Sequence, residues 1–488
     1  MKLTRRQFVK SAGLTCGAIA MPMISRGRVL GANEEIRVGV IGLGIRGAGS
    51  HLPSFNALPS CAVTALCDAD MSRTDSVSLA AQDKYGREIK KYQDLRDLIN
   101  DPDIDAISVA TLQHWHALAT VWGCMGGKDV YVEKPACHYM REGAIMEGAA
   151  RRHEKIVQVG TQRRSQVDVR QTIRWLQDEP LGKITHVIVG ASKPRSSLGT
   201  RATPLPIPDY VDYDLWCGPG RKADLYREKL QYDGNFDFNT GDGDSCNQGT
   251  HEMDIARWVL GETALPHRAM SIATSAGFEN DSADVARVQV SYYDFETAPV
   301  FQWTSNLRQS QSDGGSPRYL GTGTTTVVYC EAGRVDVLGR AAYDLDGNRV
   351  PIELPSNIEF NPGSGNHFQN FLDAVRSRKS EDLNADIAQG ALSTNVTHVG
   401  NISFRVGQSE DPATIKNAIA ETPSEYRAMY DWMIEHCAAN EVDLSDGQLS
   451  LGPMLEIGED WQPFQNNDAA NELADGFERE GWRFPLLE

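Results

Sequence analysis

The chain has 488 residues, of which 41% are hydrophobic and 8% aromatic, enough for a large buried core shared between two or three domains. A formal net charge of -18 argues against nucleic acid as a partner, because phosphate binding draws on clustered lysine and arginine, and leaves small organic substrates as the better fit. The nine cysteines include no CxxC pair, so neither a zinc knuckle nor a disulfide framework is indicated.

The first residues read as an address. TRRQFVK at 4–10, SAGLTCGAIAMPMI at 11–24 and SRGRVLGA at 25–32 have the order of an export signal. Arg5 and Arg6, with Phe8 and Lys10, resemble the twin-arginine signal, which carries folded proteins across a bacterial membrane. The expectation is a segment 1–32 cut near Ala32 and a periplasmic protein. The apolar stretch falls short of the roughly 20 residues a spanning helix needs, and Cys16 in GLTCG departs from a lipoprotein box, so no membrane anchor is expected.

From residue 33 to 162, short runs rich in valine and isoleucine (IRVGVI, CAVTALCD, IDAISVAT, KDVYVEKP, KIVQVGTQ) alternate with helical patterns such as SRTDSVSLAAQDKYG and REGAIMEGAARRHE. Repeated βαβ units of this kind predict an α/β domain, a Rossmann-type doubly wound parallel sheet. Between 163 and 408 longer strand candidates (KITHVIVGASK, HRAMSIATSAGF, DVARVQVSYYDF, RYLGTGTTTVVYC) follow one another with few helices between them, predicting a second α/β domain with an open, mainly antiparallel sheet. The proline-rich TPLPIPDYVDYD at 203–214 reads as a loop over that second domain. Residues 409–488 are acidic, hold three of the nine tryptophans, and read as an extension without a derivable role.

The run GLGIRG at 42–47 follows the first strand, opens a helix, and is succeeded one βα unit later by Asp68 at the end of CAVTALCD. Gly42 permits the tight turn, Gly44 admits the pyrophosphate close to the backbone, and Gly47 lets the helix pack on the strand. Ile45 and Arg46 of the same loop join them as cofactor-binding candidates. The helix start offers unpaired N-H groups and a partial positive charge to phosphate. Asp68, with Asp70 nearby, suits a ribose 2'-hydroxyl and repels a 2'-phosphate, so the cofactor expected is NAD rather than NADP, with Arg73 able to temper the preference.

GLGIRG with Asp68, TLQHWH at 111–116 and EKP at 133–135 together resemble the Gfo/Idh/MocA family, which includes glucose-fructose oxidoreductase and inositol dehydrogenases. The resemblance runs from about residue 35 to about 408. It implies a dinucleotide-binding domain joined to a domain whose sheet floors the substrate site and mediates oligomerisation, hence a homo-oligomer. It also implies that Thr111, His114, His116, Glu133 and Lys134 lie along the cofactor, with Lys134 the active-site lysine. DGDSCNQGTHEMDIARWVLG at 242–261 resembles the family's helix carrying an aspartate, a histidine four residues on and an aspartate three further. His251 and Asp254 match; Asn247 stands where many dehydrogenases of the family have the aspartate, and an asparagine takes up no proton.

Oxidising a ring hydroxyl requires a base at the oxygen. His251 titrates near working pH whereas Lys134 is ordinarily protonated, so His251 is expected as acid/base and Lys134 as the group that orients the oxygen, with exchange of roles open. Gln162, Arg164, Asn247, His251, Asp254 and Trp216 are the expected substrate-binding residues, although a buried interdomain salt bridge explains Arg164 equally well and a packed loop anchor explains Trp216. Asp242 and Asp244 lack the ligand order of a calcium loop, so no metal is expected. The function expected is an NAD-dependent oxidoreductase acting on a sugar or cyclitol and keeping its cofactor bound. A glycosidase using transient oxidation, or a non-catalytic sugar-binding protein of the same fold, are the alternatives.

Overall fold

A computed structural model describes residues 35–355, 360–445, 447–458, 463–465 and 467–485. The expected signal segment and Trp461 lie outside these residues. Strands β1 (Ile36–Ile41), β2 (Cys61–Cys67), β3 (Lys90–Tyr92), β4 (Ala106–Val109), β5 (Asp129–Val132) and β6 (Val157–Val159) form one sheet in the order β3-β2-β1-β4-β5-β6, every pairing parallel. The inner strands are buried on both faces, as helices on both sides require, which is why they read as apolar runs without alternation. Only β3, the exposed lysine-lysine-tyrosine edge, carried no such signal. The strand order reverses between β1 and β4, and that switch point opens a crevice at their carboxyl ends.

The second sheet contains β7 (Ile184–Ser192), β8 (Arg268–Thr274), β9 (Val288–Asp294), β10 (Val300–Ser305), β11 (Thr325–Cys330), β12 (Gly333–Asp336), β13 (Ala341–Asp344), β14 (Arg349–Val350), β15 (Gln408–Glu410), β16 (Leu449–Leu451) and β17 (Leu455–Glu456). All pairings are antiparallel except β7 with β10. Alternation along β7 to β10 divides two cores. Val187, Val189, Ala269, Tyr293 and Val300 face the helices Gly249–Leu260 and Ile387–Arg405. Ile188, Ile272, Val290, Phe301 and Trp303 point the other way.

The extension covers that second face. Tyr426, Met429, Tyr430 and Met433 of the helix Ser424–Ala439 are fully buried against β9 and β10, while β15, β16 and β17 lengthen the sheet beyond β8. The surface on which oligomerisation was expected is therefore filled by the chain's own carboxyl-terminal helix. The proline-rich loop also departs from expectation, because it leaves its own domain: Met71 N-H donates to Tyr210 O at 3.0 Å and Asp212 N-H to Ala69 O at 2.9 Å, laying residues 203–214 along the first sheet beside Asp68. Among the described residues no helix is long and apolar enough to cross a membrane.

Candidate functional site

The crevice at the switch point is a cleft of about 300 Å³. Its floor is the glycine loop. Gly42 has φ +86°, and a Cβ there would lie 2.7 Å from the Ala110 carbonyl; a Cβ on Gly47 would sit 1.8 Å from Gly42 O. Gly44 has nothing within 4 Å of where its Cβ would project, so it leaves room for a ligand against bare backbone. Asp68 Oδ2 accepts from Leu43 N at 2.7 Å and Oδ1 from Asp70 N at 2.9 Å; burial nevertheless raises its pKa, and its remaining lone pairs face the cleft.

The TLQHWH turn forms the opposite wall. Thr111 Oγ1 turns back on Leu112 O at 3.0 Å. His114 lies between Thr240 O at 3.2 Å and Trp216 O at 3.1 Å, and burial lowers its pKa to about 3. His116 lies between Pro135 O at 2.6 Å and Thr111 O at 3.2 Å, likewise lowered by burial. Both histidines line the cleft with their ring nitrogens against backbone carbonyls; each neutral ring has one N-H to donate to one of its two carbonyls, which helps to hold the turn. Gln113, which the sequence places in the same turn as Thr111, is 2% exposed and lines the cleft, and neither polar atom of its amide has a partner among the described residues. A buried amide left open in this way is a donor and an acceptor held for a ligand. The open approach at Gly44, the Asp68 carboxylate and the Gln113 amide together fit a dinucleotide.

At the end of β5, Glu133 gathers cations. Arg46 Nη2 donates to it at 2.6 Å, His51 Nε2 lies at 2.9 Å and Gln162 Nε2 at 3.2 Å. Burial opposes its charge, but His51 and Arg46 outweigh burial and hold the carboxyl well below its ordinary range. Arg46 and Glu133 thus tie the glycine loop to β5, and Gln162, expected at the substrate, is part of that tie. His51 was not foreseen; its other nitrogen is 2.7 Å from Ser108 Oγ.

Beyond Glu133 the peptide Lys134-Pro135 is cis. Lys134 Nζ donates to Asn247 O at 2.6 Å and to Asn247 Oδ1 at 2.8 Å, so the two residues meet across the two domains at one end of the cleft. Burial lowers the Lys134 pKa against the pull of Glu133. His251 is partly exposed, and its Nδ1 is buried without a partner among the described residues. Burial, then the charges of Lys134 and Arg163, depress its pKa well below the ordinary histidine value, so the ring is neutral. Arg164 and Asp254 are turned elsewhere. Arg164 Nε donates to both Asp254 oxygens at 2.9 and 2.8 Å inside the protein, and Ser393 Oγ adds a bond at 2.7 Å. They form a buried salt bridge within the second domain, just past the domain boundary, with no group turned to the cleft.

The cleft has a roof. Residues 213–236, between β7 and the next helices, bring Leu215, Trp216, Gln231 and Tyr232 over it. Trp216 stacks on Tyr213 with centroids 5.7 Å apart and faces the dinucleotide crevice. Trp115 Nε1 donates to Leu215 O at 3.0 Å and Gln231 Nε2 to Asp70 Oδ2 at 3.1 Å, pinning the roof to the first domain. Arg479 of the extension bonds Asp214 O at 3.0 Å, and Trp482 packs edge-on against Trp115 at 5.3 Å. Asp242 and Asp244 pair with His138 and Arg195, respectively.

Known proteins agree with this geometry at the level of fold and cofactor. Residues 36–161 match the Gfo/Idh/MocA family model, described as an oxidoreductase family with an NAD-binding Rossmann fold. Among curated proteins, a glycosyl hydrolase family 109 protein of Saccharopolyspora erythraea is 39% identical over 109 residues, 22% of this chain and 24% of that one. Inositol 2-dehydrogenase of Salmonella typhimurium is 30% identical over 130 residues, 26% of this chain and 38% of that one. The chain thus spans well under half the length of either relative. Among solved structures, the aldose-aldose oxidoreductase of Caulobacter crescentus superposes with a TM-score of 0.53 at 16% identity, covering 75% of this chain and 96% of that one, a likeness of fold.

Proposed function

We propose that the protein is an NAD-dependent oxidoreductase that acts on a ring hydroxyl of a sugar or cyclitol and keeps its cofactor through turnover. The observation that carries this reading is the meeting of Lys134 with Asn247 at one end of a cleft whose other walls are Gly44, Asp68 and the open amide of Gln113. Bound there, the nicotinamide would accept a hydride from the substrate carbon as its hydroxyl proton leaves for a base, giving the ketone. Gly42, Gly44 and Gly47 would face the pyrophosphate and Asp68 the adenosine ribose.

Of the two candidates for the base, Lys134 now fits better than His251. Its pKa is lowered toward working pH, whereas that of His251 falls away from it. Neutral His251 is suited to hydrogen-bond the substrate oxygen and fix its orientation. The bonds that pin the roof to the first domain and to the extension, together a clasp, would hinder exchange of a bound cofactor, which supports retention. Retention in turn suits a protein exported already folded, the location we infer from Arg5 and Arg6.

A retained cofactor must be returned to its starting state by a second substrate or within one catalytic cycle. The second possibility is the glycosidase reading, in which transient oxidation acidifies the neighbouring carbon, loss of its proton eliminates the aglycone, water adds to the resulting double bond, and the ketone is reduced again by the hydride first removed. The match to a glycosyl hydrolase family 109 protein favours keeping it in view. Two measurements test the proposal. Full-length protein folded in the cytoplasm and denatured after exhaustive dialysis is expected to release nicotinamide dinucleotide; protein that releases none and binds none when it is added back refutes the reading. With a sugar deuterated at the reacting carbon, transfer of label to a second sugar marks the oxidoreductase, and cleavage without net redox change marks the glycosidase.

A further inference from the structure

A neutral amine has two N-H bonds and one lone pair, an ammonium three N-H bonds and none. Among the described residues Lys134 Nζ has two acceptors, Asn247 O at 2.6 Å and Asn247 Oδ1 at 2.8 Å, both uncharged. They account for both protons of a neutral amine and leave its lone pair in the remaining tetrahedral direction. This works only while the Asn247 amide keeps its oxygen toward the lysine. Its Nδ2 is held by Asp244 Oδ1 at 3.1 Å, one helical turn earlier. Asp244 is fully buried and held in turn by Arg195, Nε to Oδ2 at 2.8 Å and Nη2 to Oδ1 at 2.9 Å, and by Asn306 Nδ2 at 2.8 Å. The carboxylate that might have faced the lysine is displaced by one turn, neutralised by an arginine, and set behind an amide.

We propose that Asp244, clamped by Arg195 and Asn306, is a positioning residue that fixes the Asn247 amide with its oxygen toward Lys134, so that no amide N-H caps the lone pair with which the amine accepts a proton. The groups facing Lys134 are Glu133 on its own strand end, Arg46 of the glycine loop, His116 of the turn, and Asp244, His251 and Glu252 from the second domain. Burial lowers the lysine pKa, Glu133, Asp244 and Glu252 raise it and Arg46 lowers it further, with a net fall. This inference rests on the oxidoreductase reading for the use of the amine, but not for its protonation.

The test needs no substrate. Full-length protein is treated with cyanate, which carbamylates only neutral amines, over a range of pH, and the labelling of Lys134 is read by peptide mass spectrometry against exposed Lys183. In the native protein the Lys134 midpoint is expected below the ordinary lysine range. Asn247→Asp puts a carboxylate against the amine and is expected to raise the midpoint by about one unit or more. Asp244→Asn removes one nearby negative charge and frees the amide to turn its NH₂ group toward the lysine, so the midpoint is expected to fall. Asn247→Asp preserves shape and carries the test alone if Asp244→Asn fails to fold. An unchanged midpoint in Asn247→Asp, or an unchanged or raised one in a folded Asp244→Asn, overturns the proposal. Midpoints that move as stated in a protein that turns over no sugar sink the oxidoreductase reading and leave the positioning role standing; unmoved midpoints in a working oxidoreductase do the reverse.

Discussion

Asp254→Ala separates a structural carboxylate from a substrate-binding one. Asp254 is 1% exposed and takes Arg164 Nε on both oxygens and Ser393 on one. Arg164 is 8% exposed, and Arg257, one turn further along the same helix, is 1% exposed and also feels the Asp254 charge. Removing the carboxylate strands one buried guanidinium and weakens the support of another, a loss expected at about 3–5 kcal/mol. Set against a typical total of ~5–15 kcal/mol, that is a large fraction of the stability. Urea unfolding of the full chain, followed by tryptophan fluorescence, should show the midpoint falling sharply. Arg164→Met with Asp254→Leu removes both charges and keeps the volume, and should recover most of the loss, because apolar replacement of a buried pair is often close to neutral. The reasoning is wrong if Asp254→Ala costs less than ~1 kcal/mol while substrate affinity collapses. That result would return Asp254 to the sugar site.

Three further outcomes follow from the same geometry. Gly44→Ala should leave the melting temperature nearly unchanged but weaken dinucleotide binding, whereas Gly47→Ala should destabilise the protein, since its Cβ would meet Gly42 O at 1.8 Å; equal melting temperatures would contradict this. Trp482→Ala, which removes the ring packed on Trp115, should speed loss of bound nicotinamide during dialysis without abolishing rebinding, and an unchanged loss rate would deny the clasp a role. The third concerns pH. His138 and Asp242 form a buried pair at 3.0 Å; burial opposes both charges, yet their attraction leaves His138 raised and Asp242 lowered. The Asp242 contribution is complete above its unfolded pKa and lost as pH falls through the folded one, while that of His138 is complete below its unfolded pKa and lost as pH rises through the folded one. The pair therefore stabilises most between roughly pH 4 and 6.5. His138→Gln should flatten the decline of stability above that window, and a decline as steep as in the native protein would rule the pair out as its source.

The two sheets could be read from the sequence because each has its own hydrophobic period, continuous where helices cover both faces and alternating where two different cores are divided. The glycine loop was legible for a local reason: Gly42 has a positive φ, and Gly47 faces the Gly42 carbonyl within the same loop. What escaped was long-range. Nothing local in TPLPIPDYVDYD says that Tyr210 and Asp212 will bond Ala69 and Met71 of another domain. Spacings of four and three put Asn247, His251 and Asp254 near one helical face, but they do not say which neighbour each will meet. Asp254 met Arg164 where the chain enters the second domain, and Asn247 met Lys134. His114 and His116 line the cleft as the resemblance implied, but their ring nitrogens lie against backbone carbonyls, which a sequence does not reveal.

The roof and the extension converge on one mechanical consequence. The domain that carries His251 and Asn247 also sends out the roof, residues 213–236, which bonds the first domain at Asp70, and the extension that seals the outer face of its sheet continues to Arg479, which bonds the roof, and to Trp482, which packs on Trp115 and Trp122 of the first domain. A dinucleotide between them would touch both domains, the roof and the walls, so its release requires contacts in several places to break together. That distribution of contacts is the support for the proposal that the cofactor stays bound through turnover, and for a part of Arg479 and Trp482 in it.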